Sequence, residues 1–447
     1  MILLTLYLNM ASNFDKIKHI HFIGIGGIGV SAIARMFILE KKIVSGSDAS
    51  QSKTTEELEK LGATIFYTQV PENIPADTEL VVYTIAIPVH NPEFVEAKKL
   101  GIPMLSYPEL LGVVSKDKYT IAISGTHGKT TTTAMIAQVL IDAKLDPTVI
   151  VGSFLKGLDP STGSGQESNF IAGEGNYFIV EACEYRRSFL NIHPKIIVIT
   201  NIDNDHLDYY KDIQDIQNAF IEFVSLLPQD GYLICNTNDP LLFPVLEKVK
   251  GKVINYMDFP DVTIGVPGEH NRLNGRAAQA VSKILNIDSG ATLQSLKDFG
   301  GTWRRFEYKG KMKNGALVYD DYGHHPTEIA ATIAATREKF PDKKITIIFQ
   351  PHLYSRTKLL LNDFAKVLSI ADYIIVTDIY AAREPNSHSI SAEDLVEKIS
   401  NPNKNVFYMP VFEDIVLKLS QSKGEKDVIM TLGAGDIYKV SEALTLS

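Results

Sequence analysis

The sequence predicts an α/β protein of three domains, each built on a mostly parallel sheet. Three observations carry that expectation. The chain has 447 residues, too many for one ordinary core and about three times the roughly 150 residues of a usual domain. Three successive blocks alternate strand-length apolar runs with helix-length amphipathic stretches, as βαβ units do. The apolar runs end in glycine or polar clusters, and open α/β sheets bind ligands at the carboxyl ends of their strands.

Composition narrows the function. With 44 Lys and Arg against 53 Asp and Glu, the net charge is −9, which argues against a nucleic-acid surface. Any anionic ligand must be gripped locally. Cys183 and Cys235 make neither a disulfide framework nor a zinc motif, so a cytoplasmic protein is expected, with no membrane insertion. The opening run over 1–8 is apolar but lacks a basic flank and the ~20 residues of a spanning helix. It reads as a frayed or mis-started terminus, with Met10 as an alternative start.

In the first block, a strand over 19–23 turns through Gly24-Ile25-Gly26-Gly27-Ile28-Gly29 into a helix over 30–41, and a second strand over 43–45 delivers Asp48. The glycine spacing and the acidic residue about twenty positions on satisfy the dinucleotide fingerprint. Taken alone the motif suggests NAD; a glycine turn at a helix N-terminus holds any pyrophosphate, and a purely structural turn is the third reading. Pro103 and Pro108 flank an expected linker.

The second block opens with a strand over 119–124 that runs into Gly125-Thr126-His127-Gly128-Lys129-Thr130-Thr131 and then a helix. This is a phosphate loop: backbone N–H groups face an anion, Lys129 adds a mobile charge, and the Thr130 hydroxyl suits a magnesium ion. It is shortened, because the full Walker spacing needs glycine where Ile123 stands. Later strands over 177–180 and 195–200 deliver Glu181 and the Asn201-Ile202-Asp203-Asn204-Asp205-His206 cluster. Thr130 and Glu181 offer hard oxygens to magnesium, and His206 is the less expected ligand, with a hydrogen-bonded loop histidine as the plainer reading. Glu184, Arg186 and Arg187 read equally as a solvated charge cluster. Asn271 and Asn274 share a helix face, offering amides to a purine edge or capping the helix.

The third sheet is expected to start at 316–319. Its strand ends carry Asp320-Asp321-Tyr322-Gly323-His324-His325-Pro326, with Pro326 opening a helix, then Pro351-His352-Leu353-Tyr354-Ser355-Arg356. Further junctions follow at Tyr380-Ala381-Ala382-Arg383-Glu384 and Leu432-Gly433-Ala434-Gly435-Asp436. An arginine beside two histidines and an aspartate suits a small zwitterion, since guanidinium meets a carboxylate through two parallel hydrogen bonds.

Across 19–440 this ordered set resembles the Mur ligase family. The glycine turn, the phosphate loop, Glu181-Ala182-Cys183-Glu184-Tyr185, Asp205-His206, His270-Asn271, Arg304-Arg305-Phe306-Glu307 and the two histidine runs carry the resemblance, which also accounts for the shortened loop. It implies an ADP-forming carboxylate–amine ligase with ATP and Mg2+, Mn2+ substituting, acting on UDP-N-acetylmuramate and L-alanine through an acyl phosphate. The implied architecture is a Rossmann-like UDP-binding domain over 1–108, a P-loop ATPase-like domain over 109–308 and a Rossmann-like amino-acid domain over 309–447. The resemblance implies Gly24, Gly26, Gly27, Gly29 and Asp48 on the UDP-sugar, and Gly125 to Thr131 with Asn271, Asn274 and Arg305 on ATP. It further implies Thr130, Glu181 and His206 at the metal, and Tyr322, His324, His352 and Arg356 around L-alanine. Lys129, Glu181, His206, Asp321 and His324 would act in catalysis. Later-step ligases of the family carry a lysine, modified to a carbamate, some fifteen residues beyond the metal histidine; Asn218-Ala219-Phe220-Ile221 has none, which favours the first-step enzyme. A monomer or weak homodimer is expected.

Overall fold

Strands β1 (His19–Ile23), β2 (Ile43–Ser47), β3 (Thr64–Phe66), β4 (Leu80–Tyr83) and β5 (Met104–Ser106) form a parallel sheet in the order β3-β2-β1-β4-β5. The computed structural model describes residues 16–156, 167–206, 209–382, 384–385, 389–399, 405–421 and 427–446. The opening run, Met10 and Arg383 lie outside the described residues. Strand order reverses between β1 and β4, the crevice where doubly wound sheets take ligands, and the glycine turn leaves β1 there.

The second sheet has the order β12-β11-β10-β6-β9-β7-β8. It comprises β6 (Tyr119–Ser124), β7 (Thr148–Lys156), β8 (Glu167–Ile171), β9 (Tyr177–Glu181), β10 (Ile196–Ile199), β11 (Tyr232–Cys235) and β12 (Lys252–Asn255). Among the described residues its β7–β8 pair is antiparallel and its other pairs are parallel. The phosphate loop leaves the central strand β6, flanked by β9 and β10, whose ends carry Glu181 and Asn201.

The third sheet has the order β13-β14-β18-β15-β16-β17, from β13 (Glu307–Lys311), β14 (Leu317–Asp321), β15 (Lys344–Phe349), β16 (Tyr373–Val376), β17 (Asn405–Tyr408) and β18 (Asp427–Leu432). Ile345, Ile347, Ile374 and Met430 face one buried core while Ile348, Ile375 and Ile429 face another. Burial on both faces is why these strands read as unbroken apolar runs rather than alternating ones. Adjacent strands β14, β18 and β15 bring the 321–326, 433–436 and 351–356 segments to one edge.

These sheets fall into two compact units. One holds the first two sheets, in residues 1–202, 216–259 and 277–292; the other holds the third sheet, in residues 203–215, 260–276 and 293–447. Among the described residues no helix is long and apolar enough to cross a membrane.

Two expectations are corrected. The stretch from Pro103 to Pro108 is not a linker: it contains β5 and opens the helix Tyr107–Lys116. Pro103 loses nothing there, since its carbonyl accepts Val81 N–H at 2.9 Å, and Pro108 sits in the first helical turn, where an N–H has no intrahelical partner. The third sheet begins before 316, at β13, a polar antiparallel strand on β14 whose Glu-Tyr-Lys-Gly-Lys sequence carries no apolar period. The first helix runs Ile28–Leu39, slightly ahead of its expected place.

Candidate nucleotide and amino-acid sites

The phosphate loop ends in the helix Lys129–Asp142, capped by Gly128 at φ +83°. Gly125 has φ +126°, and a Cβ there would lie 2.1 Å from Thr200 Oγ1, so only glycine fits this turn. Strand β10 supplies the loop's brace: Asn201 accepts Thr126 N–H on its carbonyl at 3.0 Å and His127 N–H on its side chain at 2.9 Å. Those two amides, expected to face an anion, are therefore occupied. The cradle consists of the first helical turn, Lys129 to Thr131, whose N–H groups lack intrahelical partners.

Lys129 Nζ donates to Gly125 O at 2.5 Å, Thr126 O at 3.0 Å and Glu184 Oε1 at 2.8 Å. Burial is the largest single influence and would lower its pKa, but the charge and hydrogen bond of Glu184, with Cys183 and Glu181, together outweigh it and raise the pKa, so the ammonium stays charged. Glu184 is 2% exposed, which corrects its reading as part of a solvated cluster. Thr130 Oγ1 donates to Glu181 Oε1 at 3.0 Å, and Gly152 N–H holds the other carboxylate oxygen at 2.7 Å.

At the glycine turn, Gly24 adopts φ +79° and Gly27 caps the helix. Asp48 reaches back to accept Gly26 N–H at 2.8 Å, so its carboxylate braces the turn. A Cβ at Gly29 would meet the Tyr107 ring at 2.5 Å, so this glycine allows close helix packing. Asn169 of β8 donates to Ser31 Oγ at 2.9 Å, fastening the following helix to the second sheet.

The second unit holds the remaining expected residues. His206 sits at φ +54° with its N–H on Asp205 Oδ1 at 2.7 Å. Asn271 and Asn274 lie on the helix Glu269–Ile284. Both lie inside the helix and not at its N-cap; Asn271 Nδ2 donates to Pro267 O at 2.6 Å, and the buried Asn274 Nδ2 has no partner among the described residues. Asp321 accepts Phe306 N–H at 2.8 Å and Gly323 N–H at 2.7 Å, shaping the turn that presents Tyr322 and His324. Arg305 lies over the Tyr322 ring at 5.2 Å and 3.8 Å from Glu328.

Tyr322, His324, His352 and Arg356 converge. The Tyr322 and His324 rings are 5.4 Å apart, His324 and His352 5.5 Å, and Arg356 Nη1 lies 3.3 Å from His352 Nδ1. Arg356 also pairs with Asp205, and a cavity of about 90 Å³ beside the pair is lined by Asn204, His206, Leu353 and Leu360. Burial raises the cost of ionising Asp205, yet His206, Arg356 and His324 together hold its pKa below the usual carboxylate range.

Burial pushes His324 down to about 4, and Arg356 adds to the shift against Glu328 and Asp205. Burial and then Arg305 push His270 to about 4 as well, with Arg272 adding and Glu328 and Glu338 opposing. Below pH 6.5 the unfolded chain takes up a proton at each, while the folded protein does not until about 4. Stability therefore falls as pH drops through this window, by ~1.4 kcal/mol per pH unit per histidine. Urea unfolding followed through Trp303, the single tryptophan, should show the slope, and His324→Asn should remove its share; an unchanged slope in that variant would contradict the assignment.

Three family sequence models match in chain order: "Mur ligase family, catalytic domain" over 19–119, "Mur ligase middle domain" over 123–261 and "Mur ligase, glutamate ligase domain" over 304–435. The chain belongs to the Mur ligase family. Among Mur ligase relatives, the UDP-N-acetylmuramate–L-alanine ligase of Clostridium kluyveri is 43% identical over 462 residues, covering 97% of this chain and 99% of its own. That of Agathobacter rectalis is 42% identical, covering 97% and 98%. The solved UDP-N-acetylmuramate–alanine ligase of Thermotoga maritima superposes with a TM-score of 0.79 at 28% identity, over 96% and 98% of the two chains. A murein peptide ligase from Psychrobacter arcticus, at 0.69 and 23% over 96% and 98%, speaks to the fold alone.

Proposed function

We propose that this Mur ligase joins L-alanine to the lactyl carboxylate of UDP-N-acetylmuramate, consuming ATP through an acyl phosphate and releasing ADP and phosphate in the cytoplasm. The end-to-end identity of 43% to a ligase of that name carries the reading, and the cluster around Arg356 agrees with it. In this proposal the domains divide by sheet, close to residues 108 and 308, into UDP-sugar, ATP and amino-acid parts.

A carboxylate is a poor electrophile until one of its oxygens becomes a leaving group. The lactyl oxygen attacks the γ-phosphorus as the bond to ADP breaks, and Lys129 with the first-turn amides neutralises the charge that spreads over the phosphoryl oxygens. Thr130 and Glu181 offer two hard oxygens 3.0 Å apart, a donor set that fits Mg2+ and would hold it. The bound ion would supply charge neutralisation on the phosphates. His206 enters this set by family resemblance alone.

The alanine nitrogen then bonds to the acyl carbon and the carbon–phosphate oxygen bond breaks. Arg356 holds the alanine carboxylate, and its fork suits that group. The amine must arrive neutral; His324, unprotonated at neutral pH, can accept its proton, and His352, with its ring 5.5 Å away, is the alternative acceptor. Incubation with UDP-N-acetylmuramate, MgATP and a panel of L-amino acids tests the whole scheme. The expected product is heavier by one alanine residue, with phosphate released in step; phosphate release without ligation would overturn the acceptor assignment.

A further inference from the structure

The turn after β9 contains two consecutive non-glycine residues in the left-handed region, Arg186 at φ +52° and Arg187 at φ +56°. Such conformations persist only where surrounding contacts over-determine them, and they concentrate at functional sites. Here the anchors are visible. Phe189 is buried against Phe223, with stacked centroids 4.3 Å apart, and against Phe220 at 5.3 Å; its N–H bonds Cys183 O at 3.0 Å; and Arg187 pairs with Glu222.

What the strain achieves is placement. Glu184, at the start of the turn, holds Lys129 of the phosphate loop. Two residues later, Arg186 Nη1 donates to Ile85 O at 3.1 Å, in the loop after β4. That loop packs on the glycine turn, since a Cβ on Gly24 would lie 2.4 Å from Thr84 Cγ2. One short turn thus links the ATP-loop lysine to the ligand edge of the first sheet, and it leaves there an exposed guanidinium that, among the described residues, gives one of its five N–H donors to a hydrogen bond, that to Ile85 O. A nucleotide-sugar reaching from the glycine turn to the phosphate loop carries oxyanions along this route.

We infer that Arg186 binds an oxyanion of the sugar-nucleotide substrate, its diphosphate or its lactyl carboxylate, and is a specificity determinant of that site. The inference rests on the proposed substrate. Glycine accepts φ +52° without penalty, so Arg186→Gly removes the guanidinium while relaxing the backbone. Calorimetry should show UDP-N-acetylmuramate binding weakened about 10- to 100-fold, the scale of one charged hydrogen bond, with the melting temperature equal or higher and the KM values for ATP and L-alanine within about twofold. Arg186→Lys should recover part of the affinity. UDP and UDP-N-acetylglucosamine separate the sources: both weaken alongside if the diphosphate is held, and neither does if the carboxylate is. Wild-type affinity of Arg186→Gly for all three ligands would overturn the inference. Failure of the wild-type protein itself to bind UDP-N-acetylmuramate would overturn the functional reading, and the inference with it.

Discussion

Lys129→Ala should lose ~10²-fold or more in turnover, the scale of one transition-state charge contact, and should also lose stability. The second effect comes from Glu184, whose side chain is 3% exposed and whose ion pair with Lys129 is 2.8 Å long. Removing the lysine leaves a buried carboxylate without its cation, a change that costs roughly 3–5 kcal/mol. The three N–H donors of the ammonium already meet three acceptors, so holding a phosphate requires at least one to be exchanged. Lys129→Met with Glu184→Gln separates the roles. The pair of changes should restore most of the stability, because no uncompensated charge remains, while turnover stays low. Denaturant unfolding and phosphate release measure the two effects; near-normal turnover in Lys129→Ala would refute the phosphate contact.

That example also shows where sequence reading reached its limit. Lys129 was legible because a glycine loop that sets a lysine and a threonine at the start of a helix suits a phosphate, whereas Glu184 was not, because a glutamate with two arginines close behind it looks solvated until tertiary packing buries it. Asp48 was located by its spacing, but its bond to Gly26 N–H depends on how β2 lies beside β1. The same holds for Asn201, which ties the phosphate loop from a neighbouring strand 74 residues away. Parallel sheets with both faces covered give long apolar runs and announce themselves; β13, on an edge and polar, did not. The prolines at 103 and 108 misled for a local reason. Their missing N–H groups fall where neither the β5 pairing nor the helix needs one.

Arg304→Ala should cost roughly 3–5 kcal/mol and loosen the amino-acid site, although Arg304 touches no expected ligand. Its side chain is 2% exposed, and its donors are divided among Asp320 Oδ2 at 2.7 Å, Gly435 O at 2.8 Å and Gly433 O at 2.6 Å. The rings of Tyr438, Tyr322 and Trp303 surround the guanidinium at 4.9, 5.3 and 5.7 Å. It therefore joins the ends of β14 and β18, and its own carbonyl accepts Tyr322 N–H at 2.7 Å. Truncation leaves the fully buried Asp320 with only Thr431 as a side-chain hydrogen-bond partner, and it strands two glycine carbonyls. Lysine cannot substitute, because one ammonium does not reproduce a planar fork that meets three acceptors and packs between rings. Arg304→Lys should accordingly lose roughly 1–3 kcal/mol and raise the KM for L-alanine more than the KM for ATP. Denaturant unfolding followed through Trp303, together with both KM values, checks this; stability of Arg304→Ala within about 1 kcal/mol of wild type would mean that the 433–436 loop is held by other contacts, such as Gln350 Nε2 on Asp436 at 3.0 Å.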